Sequence, residues 1–197
     1  MVLSDKTIMK RLPELVWTPK SDEGVIPYVL FKQINPNSLD LTISENIFLP
    51  EKRAEPVIYG FQNEEDHERY QKEYWHEYKC PNGYVTLSPG HVILACTREY
   101  IRMPKDLCGE IFTKSTLGRM FINHMMAGVI DAGFEGRITL ELHNPGIHTI
   151  RIPVGARIVQ MILYTLDEIP EKSYAERSSR YMNAETVECA KWRDNND

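Results

Sequence analysis

Positive charge is in short supply: 23 lysine and arginine residues face 28 acidic ones in 197 residues, a formal net charge of −5. A protein that coats nucleic acid needs a basic face to neutralise phosphates, so a nucleic-acid polymer is not an expected partner. A small phosphorylated ligand needs only a local cluster of cations and stays open. Long apolar runs are missing too. No stretch approaches the ~20 residues of a membrane span, so no membrane partner is expected. The opening Met1-Val2-Leu3-Ser4-Asp5-Lys6 has no basic segment followed by an apolar one, so no signal peptide is expected either. Cysteine is scarce, and Cys80, Cys96, Cys108 and Cys189 include no Cys-x-x-Cys pair. That argues against structural zinc and suits reduced, mostly buried thiols in a cytoplasmic protein. No internal repeat or low-complexity linker divides the chain. With 26% charged and 42% hydrophobic residues, wholesale disorder is excluded and one domain over 1–197 is expected.

What the sequence does contain is strand pattern. Residues 38–44 alternate strictly, with Leu39, Leu41 and Ile43 on one face. Residues 84–87 and 92–96 read as two short strands around Ser88-Pro89-Gly90-His91. Residues 137–143 alternate again: Ile138, Leu140 and Leu142 face one way, Thr139, Glu141 and His143 the other, until Asn144-Pro145-Gly146 turns the chain. Residues 149–152 follow, then 156–166, whose nearly continuous apolar character predicts burial on both faces. Helix signals are few. Ser4 is placed to cap a short helix ending near Leu12, ahead of Pro13. Residues 115–121 have room for one or two turns. In the acid-rich stretch 62–79, Tyr70, Tyr74 and Tyr78 recur at helical spacing, as the packing face of a surface helix would. Many short strands with Gly/Pro turns predict a mainly β sandwich or barrel. From about residue 182 to 197 a flexible tail is expected, polar over 191–197.

Two stretches, one carboxylate and one amide are unlike simple core. Thr113-Lys114-Ser115-Thr116-Leu117-Gly118-Arg119 sets two cations and adjacent hydroxyls where a helix could start. Its composition suits an anion, and equally a solvated loop. Residues 127–136 hold Gly128, Gly133 and Gly136, which imply special backbone angles or close approach of a ligand to the main chain. Asp131, in an otherwise apolar patch there, either bonds turn amides or meets a ligand. Glu141, between Leu140 and Leu142, is either solvent-facing or held in a polar cleft. Gln160, inside an apolar run after the turn at Val154-Gly155-Ala156-Arg157, wants a partner.

Together these residues resemble the dCTP deaminases of the trimeric dUTPase superfamily. Residues 114–119 are similar to that family's Arg-Ser-Ser-Leu-(Ala/Gly)-Arg motif. Residues 127–144 resemble its Ala-Gly-x-Ile-Asp-x-Gly-x-x-Gly-x-Ile-Thr-Leu-Glu-x-x-Asn segment almost without gaps, which is the most specific match. Residues 155–160 resemble Gly-x-x-Ile-x-Gln, and Ser38-Leu39-Asp40-Leu41 resembles Ser-(Val/Leu)-Asp-Leu. The resemblance runs weakly to about Tyr181 and covers residues 51–82 poorly, as an insertion would be.

The resemblance implies a distorted jelly-roll or β-barrel of the dUTPase-like type, assembled as a homotrimer with active sites between subunits. Its substrate would be a deoxycytidine nucleotide, with Mg2+ carried by the triphosphate. No zinc is implied, and the sequence lacks the His-x-Glu and Pro-Cys-x-x-Cys pair that zinc deaminases require. Catalysis would fall to Glu141 as general base, with Arg119 and Ser115. Lys114, Ser115, Thr116 and Gln160 would hold phosphates, with Arg157 near them and Tyr174 and Arg180 reaching in from the C-terminal region. Ala127, Gly128, Val129 and Asp131 would read base and deoxyribose. The implied reaction converts dCTP to dUTP and ammonia. Alternatives are a dUTPase or bifunctional enzyme giving dUMP, since Asp131 is present and Gly128 resembles bifunctional members, and a nucleotide-binding regulator without turnover. The chain departs from the family at Lys114 (usually Arg), at Met126 (usually Thr) and at Arg180-Tyr181-Met182-Asn183-Ala184 (usually Lys-Tyr-Gln-Gly-Gln). These departures leave room for a modified cytosine nucleotide and for another phosphate chain length.

Overall fold

The computed structural model describes residues 1–17, 31–51, 63–80, 82–124, 128–177 and 180–191. In chain order the strands are β1 (Val16–Trp17), β2 (Ile34–Asn35), β3 (Ser38–Pro50), β4 (Trp75–Lys79), β5 (Tyr84–Leu87), β6 (Val92–Arg102), β7 (Leu107–Thr113), β8 (Asn123–His124), β9 (Val129–Ile130), β10 (Glu135–His143), β11 (Ile150–Pro153) and β12 (Arg157–Thr165). The helices are α1 (Asp5–Leu15), α2 (Glu64–Tyr74), α3 (Ser115–Arg119) and α4 (Tyr174–Arg177).

Alternation in the sequence becomes a buried and an open face on each strand. β3 sends Leu39, Leu41, Ile43 and Ile47 into the core, and β10 buries Ile138, Leu140 and Leu142. Ten strands share one sheet in the order β8-β10-β6-β3-β12-β7-β9, with β1 against β6 and both β2 and β4 against β3. β5 and β11 form a separate two-stranded sheet. β3 joins the halves: its first part pairs with β12 and, from Ile43 onwards, it pairs with β6, with a register shift between Ile43 and Ile47. The sheet curls into half a barrel around one core, in which Leu41, Leu107 and Leu163 share a cluster with Ile101, Leu140 and Leu142. Each such burial contributes ~1.5–3 kcal/mol. The mainly β architecture is the one expected.

Several elements differ in extent from the sequence reading. β6 runs on to Arg102 because its far half pairs with β1 and with Glu135–Arg137 of β10. α1 continues through Pro13 to Leu15, since Ile8, Leu12 and Leu15 lie four and three residues apart and all reach the core. That burial outweighs the hydrogen bond Pro13 cannot donate. Ser4 occupies the N-cap position, but its side chain makes no capping bond.

The stretch 62–79 is not one helix. α2 starts at Asn63, whose side chain accepts a bond from the Asp66 N–H at 2.8 Å, and ends at Tyr74. From Trp75 the chain is β4 on the edge of β3, so Tyr78 lies exposed on a strand, outside any helical stripe. The tail expected to be flexible from about 182 is instead packed as far as Cys189. Val187 and Cys189 are buried with Leu94 and Cys96, flanked by Phe48 and Trp75. Of the tail, residues 192–197 lie outside the described residues.

Candidate active site

The alternation of β10 puts Arg137, Thr139 and Glu141 on the face opposite the core, and there they line a cavity of about 370 Å³. Val129, Asp131 and Phe134 border it from the segment before β10, Tyr174 from α4, and Tyr181 and Glu188 from the C-terminal segment. Tyr70 of α2 and Trp75 of β4 complete the wall. Two glycines let these pieces meet. At Gly133, φ is +82° and a Cβ would lie 2.7 Å from the Ser173 Cβ. At Gly136, φ is +150° and a Cβ would lie 3.1 Å from the Ala184 nitrogen. Only glycine accepts such angles at little cost.

The C-terminal segment is fastened to β10 by main-chain bonds. The Arg137 N–H donates to the Ala184 carbonyl at 2.8 Å, and the Asn183 N–H to the Glu135 carbonyl at 2.8 Å. The Glu188 N–H donates to the Thr139 hydroxyl at 3.0 Å. The Tyr181 N–H donates to the Tyr174 hydroxyl at 3.2 Å, and the Phe134 and Tyr174 rings lie 5.8 Å apart. Lys191 pairs with Glu188 at 2.8 Å and donates to the Arg180 carbonyl at 3.1 Å. Burial pushes the Cys189 thiol up to about 12, so it stays neutral and serves as an apolar part of the wall.

The charges that remain for a ligand are acidic. Arg137 is committed: its guanidinium donates to the carbonyl oxygens of Thr97 and Arg98 on β6. Glu141 is half-buried, and its carboxylate makes no hydrogen bond or ion pair with another described residue. Among the described residues the Asp131 carboxylate bonds no turn amide; its carbonyl accepts the Phe134 N–H at 3.1 Å while the side chain stays exposed. Two unengaged carboxylates in one cavity can bind hydroxyls and amines and can move protons.

A second group forms around Asp40 of β3, which is fully buried. The Lys114 ammonium reaches its carboxylate at 2.6 Å, Arg157 lies 3.5 Å from the same oxygen, and the Asn35 amide donates to the other at 2.8 Å. Gln160 is the register partner of Asp40 on one side and of Phe112 on the other, and is half-buried. From Lys114 the chain enters α3, leaving Ser115, Thr116 and Arg119 exposed.

The expected site residues thus fall into two sets on one chain. Val129, Asp131, Glu141 and Tyr174 line the cavity. Lys114, Ser115, Thr116, Arg119 and Gln160 do not line it, and neither does Arg180. Gly128 sits beside β7, its carbonyl accepting the Ile111 N–H at 2.7 Å. Ala127 and Met126 lie outside the described residues. Sequence reasoning missed Tyr70, Trp75 and Glu188 as cavity residues, because their stretches match the family pattern poorly. It quoted Asp40 within a motif but gave it no partner. The dyad of an acid in β3 and a cation at the end of β7 has no local signal.

The dCTP deaminase-like family model matches residues 2–166. A protein of Methanobrevibacter smithii named dCTP deaminase, dUMP-forming, is 34% identical over 187 residues, covering 92% of this chain and 90% of its own. A dCTP deaminase of Halorubrum lacusprofundi is 31% identical over 196 residues, covering 97% and 91%. Among solved structures, the 2'-deoxycytidine 5'-triphosphate deaminase of Agrobacterium tumefaciens superposes with a TM-score of 0.60 at 21% identity, over 84% of this chain and 48% of that one. That likeness establishes shared architecture.

Proposed function

The chain belongs to the dCTP deaminase-like family, and on that premise we propose that it is a cytoplasmic hydrolase that removes ammonia from dCTP in the cavity over β10. The observation that carries the reading is Glu141, a half-buried carboxylate without a partner among the described residues, on a strand paired along its length with β6. Deamination needs a base for water and an acid for the leaving amine, and one carboxylate can do both in sequence. Glu141 takes a proton from water as the oxygen bonds to C4 of the cytosine. It delivers that proton to N3 and then moves the hydroxyl proton of the tetrahedral adduct to the amino group. The C4–N bond breaks, ammonia leaves and the C4 carbonyl forms. Asp131 accepts a bond from the deoxyribose hydroxyl.

Phosphates do not belong beside Glu141, a carboxylate with no cation next to it, since Arg137 is already engaged. The cations suited to them stand at Lys114, Arg119 and Arg157, with the hydroxyls of Ser115 and Thr116 and the Gln160 amide. Lys114 spends one of its three N–H donors on Asp40 and keeps the others for phosphate. Two sets that do not meet within one chain can meet between chains, which supports a homotrimer with shared sites. Arg119 and Ser115 of a neighbour would then orient the attacking water, and Tyr174 and Arg180 would close the phosphate end. Magnesium prefers phosphate and water oxygens, and among the described residues no group of three His, Cys, Asp or Glu side chains could hold it. The ion fits as a passenger of the triphosphate, where it supplies charge neutralisation. Zinc has no role in this reading.

A second reading has one observation in its favour: the exposed, unengaged Asp131 carboxylate could also aim a water at the phosphate chain, giving dUMP and pyrophosphate. Product analysis separates the two. Incubated with dCTP and Mg2+, the protein should release ammonia and dUTP, and Glu141→Gln should lose ~10²-fold or more of that rate while still binding nucleotide. Stoichiometric pyrophosphate and dUMP would establish the second reading. Near-normal ammonia release by Glu141→Gln would remove Glu141 from the chemistry.

A further inference from the structure

Glu141 has unlike neighbours on its two sides. Towards β6 its register partner is Leu94, which packs in an apolar cluster with Cys96, Val187 and Cys189, bordered by Trp75. The Tyr70 ring stands edge-on to Trp75 at 6.4 Å. Along the other edge of β10 runs β8, with His124 opposite Leu142, and Val129 and Asp131 border the cavity from the segment before β10. The cavity over Glu141 therefore offers a ring an aromatic and aliphatic wall at Leu94, Tyr70 and Trp75 and a polar border at Asp131.

Cytosine has matching asymmetry. C4 lies between N3, a polar atom that must take a proton during deamination, and C5, a carbon bearing only hydrogen. With C4 at Glu141 and the sugar towards Asp131, the N3 edge belongs on the polar side and the C5 edge against the wall. We propose that Leu94, Tyr70, Trp75 and Cys189 form a subsite for an apolar substituent on C5, so that 5-alkylated deoxycytidine triphosphates are substrates at least as good as dCTP. The inference rests on the deaminase reading and adds to it a role for α2 and β4, the part of the chain that family resemblance covers least. A free-energy gain from filling the subsite is limited to that of one buried methyl group, about fourfold in kcat/KM.

Ammonia release from dCTP, 5-methyl-dCTP and 5-carboxy-dCTP tests this. The expected kcat/KM for the methylated nucleotide is between equal to and about fourfold above that for dCTP, with the charged carboxy substituent refused at least ~10-fold, because the buried donor of the wall, the Trp75 indole N–H, cannot replace the water a carboxylate loses. Trp75→Ala should erase any methyl preference and Trp75→Phe should keep it. If Trp75→Ala does not fold, the contrast between methyl and carboxy in the unaltered protein decides. A tenfold loss with 5-methyl-dCTP while dCTP is turned over overturns the subsite and leaves the deaminase reading intact. If neither nucleotide releases ammonia, the deaminase reading fails and calorimetric titration decides the subsite. Equal or tighter binding of 5-methyl-dCTP than of dCTP then supports it, and weaker or absent binding overturns it.

Discussion

At the scale of single residues, Lys114 shows how position adds a role that composition could not disclose. In the sequence it is a cation beside two hydroxyls. In the fold it also faces Asp40, a carboxylate with no exposure, at 2.6 Å. Removing one partner of such a pair leaves the other charge buried and costs ~3 kcal/mol or more. Lys114→Ala should therefore lower stability by about that amount in urea unfolding as well as weaken triphosphate binding. A variant with unchanged unfolding midpoint would show Arg157, 3.5 Å away, to be sufficient alone. Alternation and glycine spacing, both local patterns, singled out Glu141 and Asp131 in the sequence, while a role for either came only from the family resemblance. The Asp40 pair left no such pattern, because it joins β3 to the end of β7 across β12, a proximity created only by folding.

Among the elements, strands were easier to read than what covers them. Period-two alternation marked β3 and β10, and a nearly continuous apolar run marked β12. That strand buries Val159, Met161 and Leu163 but leaves Gln160, Ile162 and Tyr164 only half-buried, rather than burying both faces. The switch from α2 to β4 at Trp75 was hidden by tyrosines that keep helical spacing across the junction. The packing of Val187 and Cys189 was equally hidden, since two apolar residues in a polar tail look like chance. α4 offers a measurable case. Its Glu176 carboxyl is held down from 4.5 to about 2, first by the Ser173 hydroxyl, then by the Ser173 N–H and the Lys105 ammonium. A depressed value means that the tether holding α4, and with it Tyr174, is intact above the ordinary carboxylate range and is lost as pH falls towards about 2. The Ser173 and Tyr174 amide resonances should follow that low transition in an NMR pH titration and lose it in Glu176→Gln. A midpoint near 4.5 would show the tether to be absent in solution.

For the molecule as a whole, the feature to explain is that a cavity lined by carboxylates and a cluster of cations and hydroxyls sit on one chain without sharing residues. The half-barrel separates β10 from the β7–α3 junction, so assembly is what would unite them, and a heterologous interface repeated around a threefold axis does so once per subunit. Subunit mixing is the most direct test. Glu141→Gln and Arg119→Ala should each be inactive alone. When the two are unfolded together and refolded as mixed trimers, about one site in four should combine an intact Glu141 with a neighbour's intact Arg119, and ammonia release from dCTP should return to roughly that fraction. Mixtures that stay as inactive as either variant would contradict the shared site.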